Sequence, residues 1–523
     1  MKPAQLLALA VSLASPAVAG AEDLAGTRTP TDASALEDFV DAGSTGADSV
    51  EGAPPVGRVR ATWHFDAQLA TDLGHEAQDA HVGRLDLGAR VAIDAELSES
   101  TSIFVEPDVR YTAAISADGE DREALLLDAP EAFARLTFGP LRLRAGNLIF
   151  AWGASDLVGP SDVLNPLDLR TSLFADVEAV KLPVLGVEVS VGLGPLTLRL
   201  ALEPVFFASR FRIEGWDTAL DQAAVAAQFP LPRFGSLLSD SEVDRALDQA
   251  IVIDRPSDSP ENATVGLRST LRLGLVDLGA TFVHGFDPLP RLNIDRDVAI
   301  LTDKLLDGLA NGTSFDLSDP ELLGAIGRIR DAQEQGRTLI SGTYDRRTVV
   351  GFDGSVAIDP VLLKVDLAYS TARTLYTQAF RPVSHPWVNV VAGLELAHGE
   401  TLAIDVEAFA IVVIDVRSSY RLLFLEARAP PPSSADVGFR TIAVPGVAAA
   451  GRARLLDGDL ELVAGVLATF ARGDYAIMPR ARYAFDDASS MTLGAILVGG
   501  RADGFGGVYS HLDEVFVAYR LSL

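Results

Sequence analysis

The chain of 523 residues contains no cysteine, and its 43 lysine and arginine residues are far outnumbered by 72 aspartate and glutamate residues. Without cysteine there is no disulfide framework, no thiolate metal ligand and no cysteine nucleophile. Zinc-ribbon, iron–sulfur and cysteine-protease chemistry are therefore excluded. The formal net charge of −29 argues against a nucleic-acid partner, because phosphate recognition needs a basic surface.

The sequence also lacks a long hydrophobic run after its first twenty residues. Hydrophobic residues make up 48% of the chain, and the mean hydropathy is +0.23 despite the acidic composition. A membrane-spanning helix needs about 20 consecutive apolar residues, and no run approaches that length. A membrane protein without spanning helices must cross with strands that close into a barrel, so this composition favours a β-barrel.

The N-terminus has the features of a secretory signal peptide. Lys2 supplies a basic start, residues 6–13 form a short apolar stretch, and Ala17-Val18-Ala19 is a small-residue cleavage signal. We predict a signal peptide over 1–19 and an exported chain. Residues 20–56 are acidic and rich in small residues, which predicts a flexible N-terminal tail, and the barrel is expected over 57–523.

From residue 57 onward the main signal is alternation with a period of two. Between Arg84 and Leu97 the odd positions are apolar and most even positions are charged or small. Successive side chains of a strand point to opposite faces, so this pattern predicts strands with one apolar face. The same pattern recurs at 196–203, 267–275, 402–407 and 514–521.

The connections between these strands distinguish a soluble sandwich from a membrane barrel. Short turns are predicted at 98–100, 139–140, 194–195, 277, 359–360, 399–400, 457–459 and 486–489. Longer polar connections are predicted at 73–81, 116–126, 152–177, 210–262, 287–342, 377–384, 415–437 and 501–510. Alternation of short and long connections is typical of outer-membrane barrels, which have short periplasmic turns and long external loops. We predict an all-β, transmembrane, antiparallel up-and-down barrel of about 18 strands, within two either way, with helical insertions in its extracellular loops.

The last strand, residues 511–523, carries apolar residues at every second position from Val515 to Leu523. This arrangement resembles the C-terminal assembly signal of outer-membrane proteins. We therefore expect outer-membrane lipid and the outer-membrane assembly machinery as partners.

With the apolar register turned to lipid, the alternate side chains are predicted to line the lumen. The basic members of this predicted wall are Arg84, Arg90, Arg110, Arg135, Arg142, Arg144, Arg199, Arg268, Arg272, Lys364, Arg452, Arg454 and Arg520. Its acidic members are Asp86, Asp94, Glu96, Glu106, Asp108, Glu203, Asp366, Asp405, Glu407 and Glu514. The two signs nearly balance, so the net charge of the chain lies in the tail and loops. These charges form either cross-strand ion pairs or a ladder that contacts solute.

Two of the long connections have helical patterns. Ser318-Asp319-Pro320 is a helix start that precedes apolar residues at helical spacing, and residues 298–309 carry a second apolar stripe. In 210–262, Ser239 and Glu242 fit a capping box. Either these helices pack on each other as an external cap, or one folds into the lumen and narrows it.

A motif follows the strand that contains Arg144. Arg144-Ala145-Gly146-Asn147 leads into Ala151-Trp152-Gly153-Ala154-Ser155-Asp156 and then Asp162-Val163-Leu164-Asn165-Pro166-Leu167-Asp168. The pattern, over about 27 residues, resembles porin-like proteobacterial outer-membrane proteins of the domain of unknown function family 1302. The resemblance implies a porin-like barrel and says little about cargo.

Physically, Trp152-Gly153 is expected to end its strand at the membrane interface, and Asn165-Pro166 with Asp168 is turn-forming chemistry. We predict a structured loop that folds over or into the pore as a constriction. Its candidate residues are Trp152, Gly153, Asp156, Asp162, Asn165, Pro166, Asp168 and Arg170.

Signals for an enzyme are weak. None of the seven histidines lies in a metalloprotease or nucleophile-elbow motif, and only His284 is expected near an outer strand end. We therefore expect no catalytic site, no cofactor and no metal. The sequence favours an outer-membrane channel for passive or facilitated passage of a small solute. The alternative is a non-conducting barrel whose folded loops bind a hydrophobic or lipidic ligand or a surface partner.

Overall fold

The computed structural model describes residues 58–72, 83–115, 122–168, 180–210, 251–311, 318–378, 381–399, 401–423, 425–426, 438–501, 504–508 and 513–523. The predicted signal peptide 1–19 and tail 20–56 lie outside these residues, as do the capping box at Ser239 and Glu242 and the loop residue Arg170.

Eighteen antiparallel strands form one closed sheet, in which the first strand pairs with both the second and the last. They are β1 (Arg58–Asp72), β2 (Gly83–Ser98), β3 (Thr101–Ile115), β4 (Arg122–Phe138), β5 (Leu141–Leu148), β6 (Val184–Leu193), β7 (Leu196–Glu203), β9 (Thr264–Leu273), β10 (Val276–Phe286), β13 (Arg346–Ile358), β14 (Val361–Tyr376), β15 (Pro382–His398), β16 (Leu402–Arg417), β17 (Phe439–Leu455), β18 (Leu460–Thr469), β19 (Tyr475–Ala484), β20 (Ser489–Gly499) and β21 (Glu514–Ser522). Trp63 and Leu523 exchange backbone hydrogen bonds of 2.9 and 2.8 Å at the closure. The predicted barrel and its strand number are confirmed.

The two faces of the barrel differ as the alternation predicts. Along β14 the side chains of Val365 and Leu367 are exposed, whereas those of Lys364 and Asp366 are buried. The register carries this division around the sheet, so apolar residues form the outer face and most charged residues the inner face. An 18-stranded barrel with an apolar outer face is an outer-membrane β-barrel.

Substitutions on neighbouring residues of β2 test this division. Leu87 is 42% exposed on the outer face, and an arginine facing lipid costs about 2–4 kcal/mol at the bilayer midplane and less near the interfaces. We expect Leu87→Arg to destabilise the barrel strongly in urea unfolding followed by tryptophan fluorescence in lipid vesicles. Asp86→Asn, on the inner face, should change the unfolding free energy by less than about 1 kcal/mol. Equal effects would contradict the assigned faces.

Short turns join the strands at one end of the barrel, and longer connections join them at the other. Several predicted connections differ from the structure. The connections expected at 116–126 and 415–437 are shorter, because β4 begins at Arg122 and β16 continues to Arg417. Asp277 lies inside β10, and the turn before it is at 274–275, where Gly274 has a φ of +64° that favours glycine. The connection expected at 377–384 is shorter because β15 begins at Pro382, a residue tolerated at the first position of a strand.

Epitope tags inserted at glycines on the two ends of the barrel test its orientation. Gly194 and Gly458 lie in short turns, and Gly336 follows a helix of a long connection; nothing lies within 4 Å of a Cβ placed at any of them. Exposed turns of this kind tolerate insertions. On intact cells, antibody should label a tag at Gly336 and miss tags at Gly194 and Gly458. Labelling in the reverse pattern would invert the topology.

The long connection between β10 and β13 contains two helices and part of a small sheet. The helices are α1 (Arg296–Asn311) and α2 (Pro320–Glu334), and a short α3 (Phe505–Val508) lies between β20 and β21. Strand β12 (Ile340–Thr343) pairs antiparallel with β11 (Arg291–Ile294) and parallel with β8 (Ile251–Ile253), and sequence patterns did not predict this small sheet. None of the described helices is long and apolar enough to cross a membrane.

Helices α1 and α2 pack on each other through buried residues such as Val298, Leu301 and Leu322. The Arg328 guanidinium of α2 donates to Asp297 of α1 at 2.7 Å, and this hydrogen bond lowers the pKa of the Asp297 carboxyl. Among the described residues, neither helix packs extensively on a barrel strand. Of the two interpretations left open by the sequence, the structure agrees with the external cap.

Candidate functional site

The segment 149–168, between β5 and β6, is the candidate constriction, and hydrogen bonds from Asn165 fix its base. The Asn165 side-chain oxygen accepts from the Phe150 backbone N–H at 2.7 Å, and its amide donates to the carbonyls of Leu148 (3.1 Å) and Leu182 (2.9 Å). Because both the oxygen and the nitrogen of the Asn165 side-chain amide form hydrogen bonds, this residue holds the two ends of the loop together. The sequence predicts Asn165 as a residue of the constriction loop, in a turn, but not its role in joining the loop ends.

A second contact at the base is the buried Lys181, which sequence analysis did not identify. Its ammonium lies 2.5 Å from the Asp162 carboxylate and donates to the Phe150 carbonyl at 2.9 Å. Asp162 therefore anchors the loop. The Pro166 carbonyl accepts from the Leu182 N–H at 2.7 Å, and Asp168 lies 3.9 Å from Arg210. These predicted loop residues lie at the barrel wall beside β6.

Trp152 does not end a strand at the membrane interface as expected. Strand β5 already ends at Leu148, and Trp152 is buried inside the barrel. A Cβ atom at Gly266 of β9 would lie 2.8 Å from the indole ring, so the glycine makes room for it. Trp152 is buried because apolar residues of the inner wall, including Phe133 and Val349, surround it.

Beyond Trp152 the segment reaches β13 and β14. Gly153 has a φ of +127°, and a Cβ there would lie 2.5 Å from an Asp366 oxygen. The Ser161 hydroxyl donates to the other Asp366 oxygen at 2.6 Å. A Cβ at Gly351 would lie 2.4 Å from that hydroxyl, so the segment lies directly on the wall.

The tip of the segment contacts β14 to β16, nearly opposite β5 in the strand order of the barrel. The Glu407 carboxylate accepts from the backbone N–H groups of Asp156 (2.9 Å) and Val158 (2.8 Å). The buried Lys364 ammonium bonds Asp156 and lies 2.5 Å from Asp405. A segment bonded to opposite walls must cross the lumen.

Apolar contacts also fix the tip. Leu157 is buried against Ala403, Ala448 and Ala450, small residues on the inner faces of β16 and β17. Small side chains at these positions leave space for the leucine. Both polar and apolar groups therefore hold the segment inside the barrel.

Carboxylate oxygens of Asp156, Glu395 and Asp405 lie within 4.8 Å of one another, which is the geometry of a possible cation site. The Lys364 ammonium lies 3.6 Å from Glu395 and also contacts the other two carboxylates. A lysine in this position supplies the positive charge that a metal ion would otherwise bring. We therefore interpret the cluster as a buried ion-pair network that attaches the tip.

All the predicted wall residues lie on the inner face in the observed strand register. Several form ion pairs. Arg84–Asp86 and Arg110–Asp108 lie within one strand, and the others join different strands, as the interpretation of a wall with cross-strand pairs expects. The pairs are Arg84–Asp86 (2.6 Å), Arg84–Glu514 (3.1 Å), Arg90–Glu106 (3.5 Å), Arg110–Asp108 (2.7 Å), Arg144–Glu188 (2.5 Å), Arg268–Asp353 (2.9 Å), Arg454–Glu461 (3.3 Å) and Arg520–Asp66 (2.7 Å). The predicted wall does not include the partners Glu188, Asp353, Glu461 and Asp66, nor Arg480 and Arg482 of β19.

A second inward segment follows β16. Leu422 and Leu425 pack with Phe409, Ile411 and other apolar residues on the inner faces of β14 to β17. Two features of the sequence indicate this contact. Residues 406–414 are almost continuously apolar instead of alternating, and the polar connection after them contains the run Leu-Leu-Phe-Leu at 422–425. The inner wall is thus apolar where this segment covers it.

The one histidine considered for catalysis lies on the outer face. His284 of β10 is exposed, and its Nδ1 is 2.9 Å from the Thr348 hydroxyl. Among the described residues it forms no carboxylate or serine pair of the kind used by hydrolases.

Comparisons with known proteins found similar solved structures only. No protein-family model matches the sequence, and no curated protein is similar to it, so the resemblance to family 1302 is not confirmed. Pseudomonas aeruginosa OpdL is 10% identical, with 89% of this chain and 98% of that chain covered and a TM-score of 0.42. Pseudomonas aeruginosa OccK7 (OpdD) is 9% identical, with 89% of this chain and 98% of that chain covered and a TM-score of 0.44. The Salmonella typhi OmpF complex with daunomycin is 9% identical, with the same coverages and a TM-score of 0.38.

Proposed function

We propose that this outer-membrane barrel is a channel through which a small solute passes by passive or facilitated diffusion. The observation that carries the proposal is segment 149–168, which crosses the lumen and is bonded at its tip to one side of the wall only. A barrel of this strand number encloses an aqueous channel unless something fills it. A single segment that crosses the lumen narrows such a channel without filling it.

The side of the lumen away from the tip supports the same proposal. The side chains of Arg110 and Arg520 on the inner face remain 51% and 44% exposed. Exposed charged groups on the inner face require water, because burying them without full pairing is costly. The path of the solute therefore runs between the segment and the charged inner face formed by β17 to β21 and β1 to β3.

Planar-bilayer recording tests the proposal. The purified full chain, refolded from detergent, should produce discrete current steps in symmetrical potassium chloride, and a detergent blank should produce none. A chain that inserts with its correct barrel mobility on unheated gels but never carries current would contradict a channel. The same preparation then tests the alternative by binding of a fluorescent fatty acid.

The alternative, a non-conducting barrel that binds a hydrophobic ligand, rests on the apolar inner wall of β14 to β17. That wall is already covered by Leu422 and Leu425 of the chain itself. A lipidic ligand would have to displace these residues, so the apolar wall favours a structural core over a ligand site.

We also propose roles for residues 1–56, which lie outside the described residues, and for the partners of the barrel. Residues 1–19 would direct export, and 20–56 would form a tail in the periplasm. The outer face of the barrel would contact outer-membrane lipid, and β21 would be recognised by the assembly machinery. Membership in the porin-like family 1302 also remains a proposal, based on the motif around Trp152 and Asn165.

A further inference from the structure

Lys364, Asp405 and Glu407 bring one amine and two carboxyl groups together on the inner face of β14 and β16. The Lys364 Nζ donates to Asp405 Oδ2 at 2.5 Å, and Glu407 Oε1 lies 3.9 Å from the same nitrogen. Both carboxylates are fully buried, and the lysine side chain is almost fully buried. An amine and a carboxyl group held in contact in a dry site are the two groups from which an amide bond forms.

The intervening strand β15 leaves the space that this contact needs. Lys364 pairs with Gly393 of β15, and Gly393 pairs with Glu407 of β16. A Cβ atom at Gly393 would lie 3.6 Å from Lys364 Cε and 3.0 Å from Glu407 Cγ. Because glycine has no side chain, the lysine crosses over β15 and reaches a carboxyl group two strands away.

The tip of segment 149–168 keeps water from the three groups. The backbone N–H groups of Asp156 and Val158 donate to Glu407, and Leu157 is buried against Ala403. Burial of an ion pair costs desolvation energy, so moving a proton from an ammonium to a carboxylate costs less in such a site than in water. The fold therefore gives the pair access to the neutral amine and neutral acid that react with each other.

Two other carboxylates contact the lysine but are less suited to the reaction. Asp156 bonds the ammonium, and Glu395 lies 3.6 Å from it. Their side chains are 45% and 29% exposed, whereas Asp405 has no exposure. Solvent at an exposed pair favours the two ions over the neutral groups. Distance and burial together select Asp405 as the partner of the lysine.

We propose that Lys364 and Asp405 join in an amide bond once the barrel has folded, and that Glu407 carries a proton in this reaction. The ammonium first passes one proton to Asp405 Oδ2, and the neutral Nζ then attacks Cγ to form the C–N bond. Glu407 moves a second proton from the nitrogen to the departing hydroxyl group. The C–O bond breaks and one water leaves, so the step consumes no oxidant and no cofactor. Fixed contact between the reacting groups lowers its barrier.

The product is a covalent link between β14 and β16 that passes over β15. It replaces two buried charges by a neutral amide, and it closes a loop between positions 41 residues apart in sequence. A cross-link of this kind stabilises a fold chiefly by restricting the unfolded chain. The link lies under the tip of segment 149–168, and it is independent of whether the barrel conducts.

The mass of the intact protein tests the proposal. The full chain kept unfolded in urea should have the mass of its sequence, and after refolding in detergent it should be lighter by one water. Trypsin should then fail to cleave after Lys364, and one branched peptide should join Lys364 to Asp405. Lys364→Arg keeps the positive charge but removes the nucleophilic amine, so it should retain the full mass. Lys304→Arg, the same change at a lysine paired with Asp319 at 3.0 Å on α1, should still lose one water.

Glu407→Gln tests the proton carrier, and its link should form about 100-fold more slowly during refolding. Mobility on unheated gels shows that each barrel is assembled. An assembled, unmodified barrel that retains its full mass would overturn the proposal, and so would a branched peptide that joins Lys364 to Asp156 or Glu395. An unchanged rate in Glu407→Gln would overturn the role of Glu407. The unmodified protein decides the main point, so the result stands even where a variant does not fold.

Discussion

Replacing residues 156–168 by a short Gly/Ser linker should raise the single-channel conductance several-fold. The deletion removes the tip that Glu407 and Lys364 hold against β14 to β16, together with Leu157 and Ser161. An 18-stranded barrel without this segment has an aqueous lumen bounded by its wall. Conductance in symmetrical salt measures the change, and the mobility of the folded barrel on unheated gels shows that the variant is assembled.

Trimming residues 300–336 is the matched control for this deletion. Most of α1 and α2 lies in that range, and the two helices pack on each other outside the strands. The conductance should therefore change much less than after the first deletion. Unchanged conductance in the variant that lacks 156–168, in a barrel that is correctly assembled, would show that the constriction lies elsewhere.

The fold could be predicted from the sequence because the membrane imposes a simple rule. Each residue between Arg84 and Leu97 faces either lipid or the lumen, so an apolar residue indicates the outer face and a polar residue the inner face. Short turns need residues such as Gly194 and Gly274 with positive φ, which makes them visible in sequence. Both signals are local, and together they determine the strand number.

The site could be predicted only in part because its contacts join distant segments. The motif around Trp152 predicts the loop, but nothing in the sequence around Asp366, Asp405 and Glu407 predicts that the loop covers these carboxylates. Nothing local distinguishes these covered carboxylates from exposed inner-face groups such as Arg110 and Arg520. Pairing across the lumen, as between Asp156 and Lys364, depends on the closed barrel and cannot be read from alternation.

The apolar inner wall was missed for a related reason. Period-two alternation assumes one polar face, whereas Ile411 and Val413 point inward to a second covering segment. Where an apolar loop covers the inner wall, the strand faces lipid on one side and the loop on the other, so both faces are apolar and the alternation disappears. Loss of alternation inside a predicted barrel strand is therefore a useful indication of an inward loop.

The largest expected effect on stability is that of Lys364→Met. This substitution keeps the length of the side chain and removes the charge that faces Asp405 at 2.5 Å, Glu395 at 3.6 Å and Glu407 at 3.9 Å. Asp405 and Glu407 have 0% exposure, so they cannot gain water in compensation. Removing one partner of a buried pair costs about 3–5 kcal/mol.

Urea unfolding followed by tryptophan fluorescence in vesicles should show this loss, and Lys304→Met is its control. Lys304 of α1 pairs with Asp319 at 3.0 Å, and its side chain is 37% exposed, so the same substitution there should cost at most about 1 kcal/mol. Adding Asp405→Asn to Lys364→Met should restore part of the lost stability, because it removes one uncompensated carboxylate. Similar small losses for both lysines would mean that water reaches the buried network, and that segment 149–168 does not seal it. Because Lys364 also holds Asp156, the Lys364→Met channel should show larger and noisier current steps, which links the stability of the wall to the width of the pore.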